Sequence, residues 1–306
     1  MNTKLQGYLA GIIAAVAYGT NPLGALFLYR EGYNATSVIF FRFVFAVLIL
    51  GMVLLMQKES FKISVFEFKV LSSLGVIFAV SALTLYTSFS YMDSGIASTI
   101  LFTYPVFVAI IMSVFFKEHM SVISIFSIAL SIFGICLLYQ GDGGVRLSTL
   151  GIILVLISSL TYSFYIVLVN RANLKINPFK MTFYVMAIAG ICILIYSVFN
   201  KENRIIPIDG FYSLSWFVFL GIVPTIIAMT FLNIAIPKIG SVPTAIMGAL
   251  EPATAVIISV CVFDGLLSLR LLTGIFLILI AVILITLKDI PLLILRKLKK
   301  KNILIK

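Results

Sequence analysis

Phe102-Thr103-Tyr104-Pro105-Val106-Phe107 and Leu250-Glu251-Pro252-Ala253 are the two stretches on which the fold turns. Setting Tyr104-Pro105 over Glu251-Pro252 superimposes the two halves of the 306-residue chain at an offset of 147 residues. Ser94 then falls on Ser241, Phe116 on Phe263, Ser121 on Ser268 and Leu130 on Leu277. Nearer the start of each half, Gly7 and Tyr18 meet Gly151 and Tyr162 at an offset of 144. Apolar runs and the polar breaks between them coincide. Both stretches lie inside such runs, so each carries a proline in an otherwise helical segment.

Composition says what solvent surrounds those runs. The chain is 62% hydrophobic and 11% charged, against about 45–50% apolar and about 25% charged residues in soluble domains. A bilayer core needs about 20 apolar residues per helix. On that unit the chain divides into ten spans: Leu5 to Tyr29, Ala35 to Met56, Phe68 to Met92, Gly95 to Phe116, Ser121 to Tyr139, Leu147 to Asn170, Phe179 to Phe199, Phe211 to Ile236, Gly240 to Phe263, and Ser268 to Leu287. The first run is too long for the core of a cleaved signal peptide. The expected class is an all-α polytopic membrane protein. Its parts are a five-helix repeat at 1–140, a second at 147–288, and a basic tail at 289–306. An odd number of spans per repeat means that the two copies enter the membrane upside down relative to each other, the arrangement of secondary transporters.

Charge sets the orientation. With the N-terminus inside, sixteen of the 22 Lys and Arg face the cytoplasm, five face outward and Arg42 lies within a span. By the positive-inside rule this predicts a multi-pass protein of the cytoplasmic (inner) membrane with both termini cytoplasmic. The net charge of +11 follows from the same short basic loops and needs no nucleic-acid partner.

Ionisable residues deep in a bilayer are costly, and so they mark function. Arg42 lies about 10 Å and Glu251 about 18 Å from the outer ends of their spans, at about 1.5 Å per residue. Glu251 reads as a ligand for a substrate amine or as a proton-coupling carboxylate. Arg42 reads as a ligand for a substrate carboxylate, or as the group that holds Glu251 charged. A fixed Arg42–Glu251 pair that only stabilises the bundle is the structural alternative.

Around them, Tyr104, Tyr18, Tyr86, Tyr162 and Tyr165, with Asn21 and Asn233, are polar groups that could wall a cavity. Tyr104 stands out because it is matched to Glu251. Pro105 and Pro252 should act as cavity-lining kinks, freeing the carbonyls of Leu101 and Gly248. Pro22 interrupts span one, and Pro224 span eight. Gly7, Gly11, Ala15 and Gly19 form a small-residue stripe suited to close helix packing, as do Gly240, Thr244 and Gly248. His119 belongs to a charged loop, and Cys136, Cys192 and Cys261 have no metal-ligand or disulfide spacing. No cofactor or metal is expected.

In their order along the chain, several short motifs resemble the EamA-like family of the drug/metabolite transporter superfamily. They are Tyr18-Gly19-Thr20-Asn21-Pro22, Phe41-Arg42-Phe43, Phe102 to Phe107, Lys117-Glu118-His119-Met120-Ser121 with Gly134, and Leu250-Glu251-Pro252-Ala253 with Gly274. Tyr162-Ser163-Phe164-Tyr165 departs from the first of these, lacking its glycine and asparagine. The resemblance implies ten helices in two inverted bundles, with spans five and ten peripheral. It also implies alternating-access transport of small metabolites, often export, with amino acids or related solutes as the expected cargo. Protons are the candidate coupling ion, and the protein is expected as a monomer or homodimer.

A polytopic membrane enzyme is the rival from another class, and a non-transporting sensor or scaffold is a further one. An intramembrane serine protease would need a histidine within the spans, and a metal-dependent transferase would need clustered carboxylates. The sequence has neither. A transporter predicts a polar central cavity bordered by spans one, two, four and nine, with Glu251 reaching it.

Overall fold

The computed structural model describes residues 3–88, 91, 97, 100–138, 148–200, 203–262 and 269–287. Every element among the described residues is helical. In chain order these are α1 (Thr3–Gly19), α2 (Asn21–Arg30), α3 (Ala35–Met56), α4 (Val65–Ser88), α5 (Tyr104–Phe116), α6 (Val122–Leu138), α7 (Thr149–Ala172), α8 (Pro178–Phe199) and α9 (Gly210–Gly221). A π-helical segment, Ile222–Ile227, follows, then α10 (Ala228–Ile239), α11 (Ser241–Met247), α12 (Leu250–Val262) and α13 (Leu269–Leu287).

Local chemistry sets the helix ends. Asn34 accepts the Ser37 N–H at the start of α3, and Ser148 accepts that of Gly151 at the start of α7. Asn177 accepts from Phe179 just before α8, with Pro178 as that helix's first residue. These are the side chains that satisfy orphan N–H groups. Ser64 and Glu67 cap α4 reciprocally, Ser64 N to Glu67 Oε2 at 2.6 Å and Glu67 N to Ser64 Oγ at 3.2 Å. At the other end of α7, Asn173 turns the chain with a φ of 41°.

Six stretches are long and apolar enough to cross a membrane: Thr3–Arg30, Ala35–Met56, Val65–Ser88, Thr149–Ala172, Pro178–Phe199 and Gly210–Ile239. They coincide with expected spans one, two, three, six, seven and eight. Shorter apolar helices occupy the places of spans four, five, nine and ten. Large apolar side chains such as Leu48, Met52, Phe199 and Phe211 face outward, as lipid-facing helices require. Ser94, Phe263 and Ser268 of the repeat match, Cys261's side chain and the basic tail lie outside the described residues.

Packing is pairwise. α1 runs along α10, and α4 runs along α7. α3 packs on α8, α5 on α7, α12 on α1, and α5 on α11. α6 and α13 pack chiefly on each other, and Gly134 makes that contact possible. A Cβ there would lie 2.9 Å from the Gly274 carbonyl oxygen.

Pro105 and Pro252, expected as cavity-lining kinks of spans four and nine, instead mark helix restarts, as does Pro22 in span one. α1 ends at Gly19, Thr20 donates its N–H to the Ala17 carbonyl (3.2 Å), and α2 begins with Pro22 in its first turn. Thr103 donates to Ile100 (3.0 Å), and α5 begins with Pro105 in its first turn. Ala249 donates to Ile246 (3.0 Å), and α12 begins with Pro252 as its third residue. The Gly248 carbonyl is not freed, because it accepts the Glu251 N–H at 2.9 Å. A proline in a first turn removes no intrahelical bond, so the chain tightens before it and starts afresh. In span eight Pro224 falls within the π segment.

Candidate functional site

Three of these interruptions meet at one place. A narrow cavity is walled by Tyr18 of α1, Tyr104 of α5, Tyr162 of α7 and Glu251 of α12. Its wall also includes Ala228 and Leu232 of α10 and Gly248. The space is thin, with room for roughly one water-sized guest. Spans one, four, six, eight and nine therefore border it. Span two does not, which corrects the expected set. Among the described residues, spans five and ten contribute no lining residue.

The rings are fixed by one another and by the breaks. Tyr104 and Tyr162 meet edge to face, with centroids 5.0 Å apart and planes at 80°. Tyr162 stacks on Tyr165 at 6.2 Å. The Tyr104 hydroxyl rests against Gly248, where a Cβ would lie 1.6 Å from it. Hydroxyls of α7 hold the break before α5, since Ser163 Oγ shares its proton between the Ser159 carbonyl at 2.7 Å and the Tyr104 carbonyl at 3.0 Å, and Ser159 Oγ lies 2.9 Å from Thr103 Oγ1. On the facing side, Gly19 packs directly on the Glu251 backbone, where a Cβ would lie 2.6 Å from that carbonyl oxygen.

Glu251 reaches the cavity with no cation within ion-pair distance among the described residues. Arg42 does not pair with it. Arg42 is 1% exposed, and its guanidinium belongs to a cluster of neutral side chains. Its Nη1 donates to Asn21 Oδ1 (3.2 Å) and to the Tyr86 hydroxyl (3.1 Å), and its Nε donates to Thr225 Oγ1 (3.1 Å). Tyr86 in turn donates to Asn21 Oδ1 (3.2 Å), and Thr225 to the Leu220 carbonyl (2.6 Å). Tyr18 borders both sites. It walls the cavity, and its ring centroid lies 5.9 Å from Arg42 Cζ.

The expected site residues thus sort into two sets. Tyr18, Tyr104, Tyr162 and Glu251 line the cavity. Arg42, Asn21 and Tyr86 form the adjoining cluster.

A second polar cluster sits on the other side of the cavity rings. Tyr165 donates to Asn233 Oδ1 (2.9 Å), Asn233 Nδ2 donates to Thr182 Oγ1 (3.2 Å), and Thr230 donates to Thr182 (3.2 Å). It carries no charge. Sequence reading missed its threonines, Thr225 beside Arg42, and the serines of α7. Doubled Ser158-Ser159 in an apolar helix was the available signal. No group of three or more His, Cys, Asp or Glu side chains that could hold a metal stands among the described residues.

Residues 5–140 and 149–287 both match the EamA-like transporter family. The chain belongs to that family. It is a multi-pass membrane transporter. An uncharacterized transporter of Archaeoglobus fulgidus is 25% identical over 273 residues, which is 88% of this chain and 92% of that protein. The uncharacterized transporter YdfC of Bacillus subtilis is 26% identical over 235 residues, 75% of this chain and 74% of YdfC. A solved crystal structure superimposes with a TM-score of 0.76 over 92% of this chain and 97% of its own, at 13% identity. That likeness concerns the fold. As in other members of this transporter family, small molecules are the expected cargo and the bilayer the surroundings.

Proposed function

We propose that the chain is a secondary transporter of ten spans in two inverted repeats, exporting amino acids or related solutes by alternating access. The observation that carries this reading is Glu251, a carboxylate without a counter-charge among the described residues, facing a tyrosine-walled cavity lined by the first turns of the restarted helices α5 and α12. A charge withdrawn from water needs compensation. A proton or a substrate ammonium supplies it, and either makes occupancy of Glu251 the event that permits the cavity to close.

The pairings support the inverted repeat. Exchanging span one for six and three for eight turns the α1–α10 contact into the α7–α4 contact. The 144-residue offset sets Gly19 against Ser163, and each abuts the carbonyl of the residue at the opposing restart, Glu251 or Tyr104. It also sets Asn21 of the Arg42 cluster on Tyr165 of the neutral one. Two clusters on either side of one cavity are what two alternating gates would need. With both termini cytoplasmic, the Arg42 cluster lies on the outer side.

Glu251→Gln tests the reading. In proteoliposomes the variant should insert and melt like the wild type but lose proton- or substrate-coupled uptake. Cargo for the assay comes from thermal-shift screening of the purified protein against amino acids, nucleobases and sugars, since a ligand raises the melting temperature. Wild-type uptake by the variant would remove Glu251 from the mechanism.

A further inference from the structure

α3 and α8 are both 22 residues long and stand 143 residues apart at each end, Ala35 against Pro178 and Met56 against Phe199. Each follows an asparagine that accepts a backbone N–H of the helix start, Asn34 from Ser37 and Asn177 from Phe179. Each is soon followed by a segment without helix, residues 59–64 after α3 and 204–209 after α8. The two helices pack directly on each other. A Cβ on Gly190 would lie 3.6 Å from Phe43 Cβ, and one on Gly51 would lie 3.4 Å from a Phe183 ring carbon.

Each segment is pinned to the other helix. In the first, Lys180 Nζ donates to the Lys62 carbonyl at 2.7 Å, and the Tyr184 hydroxyl donates to the Phe61 carbonyl. Lys180 is buried, a rare place for a lysine without a polar partner. The Phe61 ring lies on Phe183, with centroids 5.5 Å apart. In the second, Ser37 Oγ accepts the Ile206 N–H at 2.8 Å and Asn34 Nδ2 donates to the Arg204 carbonyl at 2.8 Å. The Tyr33 hydroxyl accepts the Asp209 N–H at 2.7 Å. Lys180 and Ser37 are each the third residue of their helix. Their partners, Lys62 and Ile206, are likewise about one half-chain apart. The same fastening thus occurs twice, once at each end of an antiparallel helix pair.

A helix pair fastened at one end can splay at the other. Fastened at both ends and packed between them, it moves as one body. α3 belongs to the first half of the chain and α8 to the second, so the halves cannot swing apart as wholes. Nor do these helices wall the cavity. Its lining comes from α1, α5, α7, α10, α11, α12 and Gly248, and from no residue of α3 or α8 among the described residues. We propose that α3, α8 and the two segments form a rigid clasp that joins the halves and keeps its contacts in every state, while the cavity opens where α1 parts from α10. The clasp deepens the alternating-access reading and rests on it in one respect, that the cavity opens.

The test is the rate at which a cavity thiol reacts in the purified full chain. Cys136, Cys192 and Cys261 are replaced by serine, and Thr244→Cys is the reporter, at a wall position that is 3% exposed. The probe is aminoethyl methanethiosulfonate, followed by intact mass. Ser37→Cys with Ile206→Cys, oxidised to a disulfide, bonds the clasp where side chain and backbone already meet. Phe43→Cys with Gly190→Cys bonds it midway, from Cβ positions 3.6 Å apart. Either disulfide should leave the labelling rate within about twofold of the uncrosslinked reporter, because the rate follows the open population. Gly7→Cys with Lys238→Cys, at Cβ positions 2.8 Å apart, joins α1 to α10. That disulfide should change the rate about tenfold or more, in whichever direction the locked face dictates. A comparable change on bonding the clasp overturns the proposal. So does a reporter that never reacts, or one indifferent to the α1–α10 disulfide, because the opening then lies elsewhere. Labelling needs no cargo, so uptake by Glu251→Gln judges the transporter reading separately.

Discussion

The hydroxyl of Tyr104 lies where a side chain at position 248 would begin. A Cβ on Gly248 would meet that oxygen at 1.6 Å, but the ring carbon Cζ only at 3.0 Å. Gly248→Ala should therefore push Tyr104 into the cavity, destabilise the fold by about 1–3 kcal/mol and abolish uptake. Adding Tyr104→Phe should restore most of the melting temperature, because the clash falls on the hydroxyl. Equal melting temperatures for the single and double variants would contradict this contact. Ser163→Ala leaves the Tyr104 carbonyl without its side-chain donor and should cost about 1 kcal/mol in denaturant unfolding. At this scale the charged and aromatic members of the site were legible. Arg42, Glu251, Tyr18, Tyr104 and Tyr162 interrupt apolar runs, and a bilayer tolerates few such residues. Their partners were not legible. A threonine or serine in a membrane helix can satisfy itself on its own backbone, as Thr84 does on the Val80 carbonyl at 2.8 Å. Nothing local distinguishes it from Thr225, which reaches Arg42. Whether Arg42 meets Glu251 is likewise a matter of tertiary distance.

Among elements, the restarts before α5 and α12 decide how spans four and nine behave. Interior prolines cost a helix about 3 kcal/mol, and first-turn prolines cost almost nothing. Pro105→Ala and Pro252→Ala should consequently leave the melting temperature unchanged. A clear rise in either would mean that the proline strains a continuous helix. Gly19→Ala should act oppositely. Its Cβ would meet the Glu251 carbonyl at 2.6 Å and Thr254 Cβ at 2.7 Å. Backbone cannot swing aside as a tyrosine ring can, so α1 must move off α12, and the loss of stability should exceed that of Gly248→Ala. Length and hydropathy fixed the six full spans in advance, and Asn34, Ser148 and Asn177 are ordinary start signals. Spans four and nine were read as single kinked helices because hydropathy is blind to a turn inside an apolar run.

For the whole molecule, the Lys and Arg distribution makes a prediction of sidedness. Lys4→Cys and His119→Cys should react with an impermeant maleimide only after permeabilisation, and Arg204→Cys should react in intact cells. The reverse pattern would invert the assignment of gates to membrane faces. Arg171 and Glu118 form an ion pair at 2.6 Å that ties the ends of α7 and α5 together on the face given to the cytoplasm. The proposed repeat is read from apolar runs and coincident polar breaks, whereas the neutral Thr182 cluster was not legible, because its threonines have no counterpart in residue type.

Span eight serves both clusters, offering Thr225 to Arg42 and Thr230 and Asn233 to Thr182. The π segment Ile222–Ile227 lies between its two regular parts. It acts as a phase shifter. One residue advances a regular helix by about 100°, so the wide turn sets the angular offset between the face that α9 and Thr225 present and the face that α10 presents. Deleting a single residue from Ile222–Ile227 would put the two faces out of step. Either Thr225 turns from the guanidinium or Asn233 turns from Tyr165, and the molecule keeps one polar cluster in register at the expense of the other.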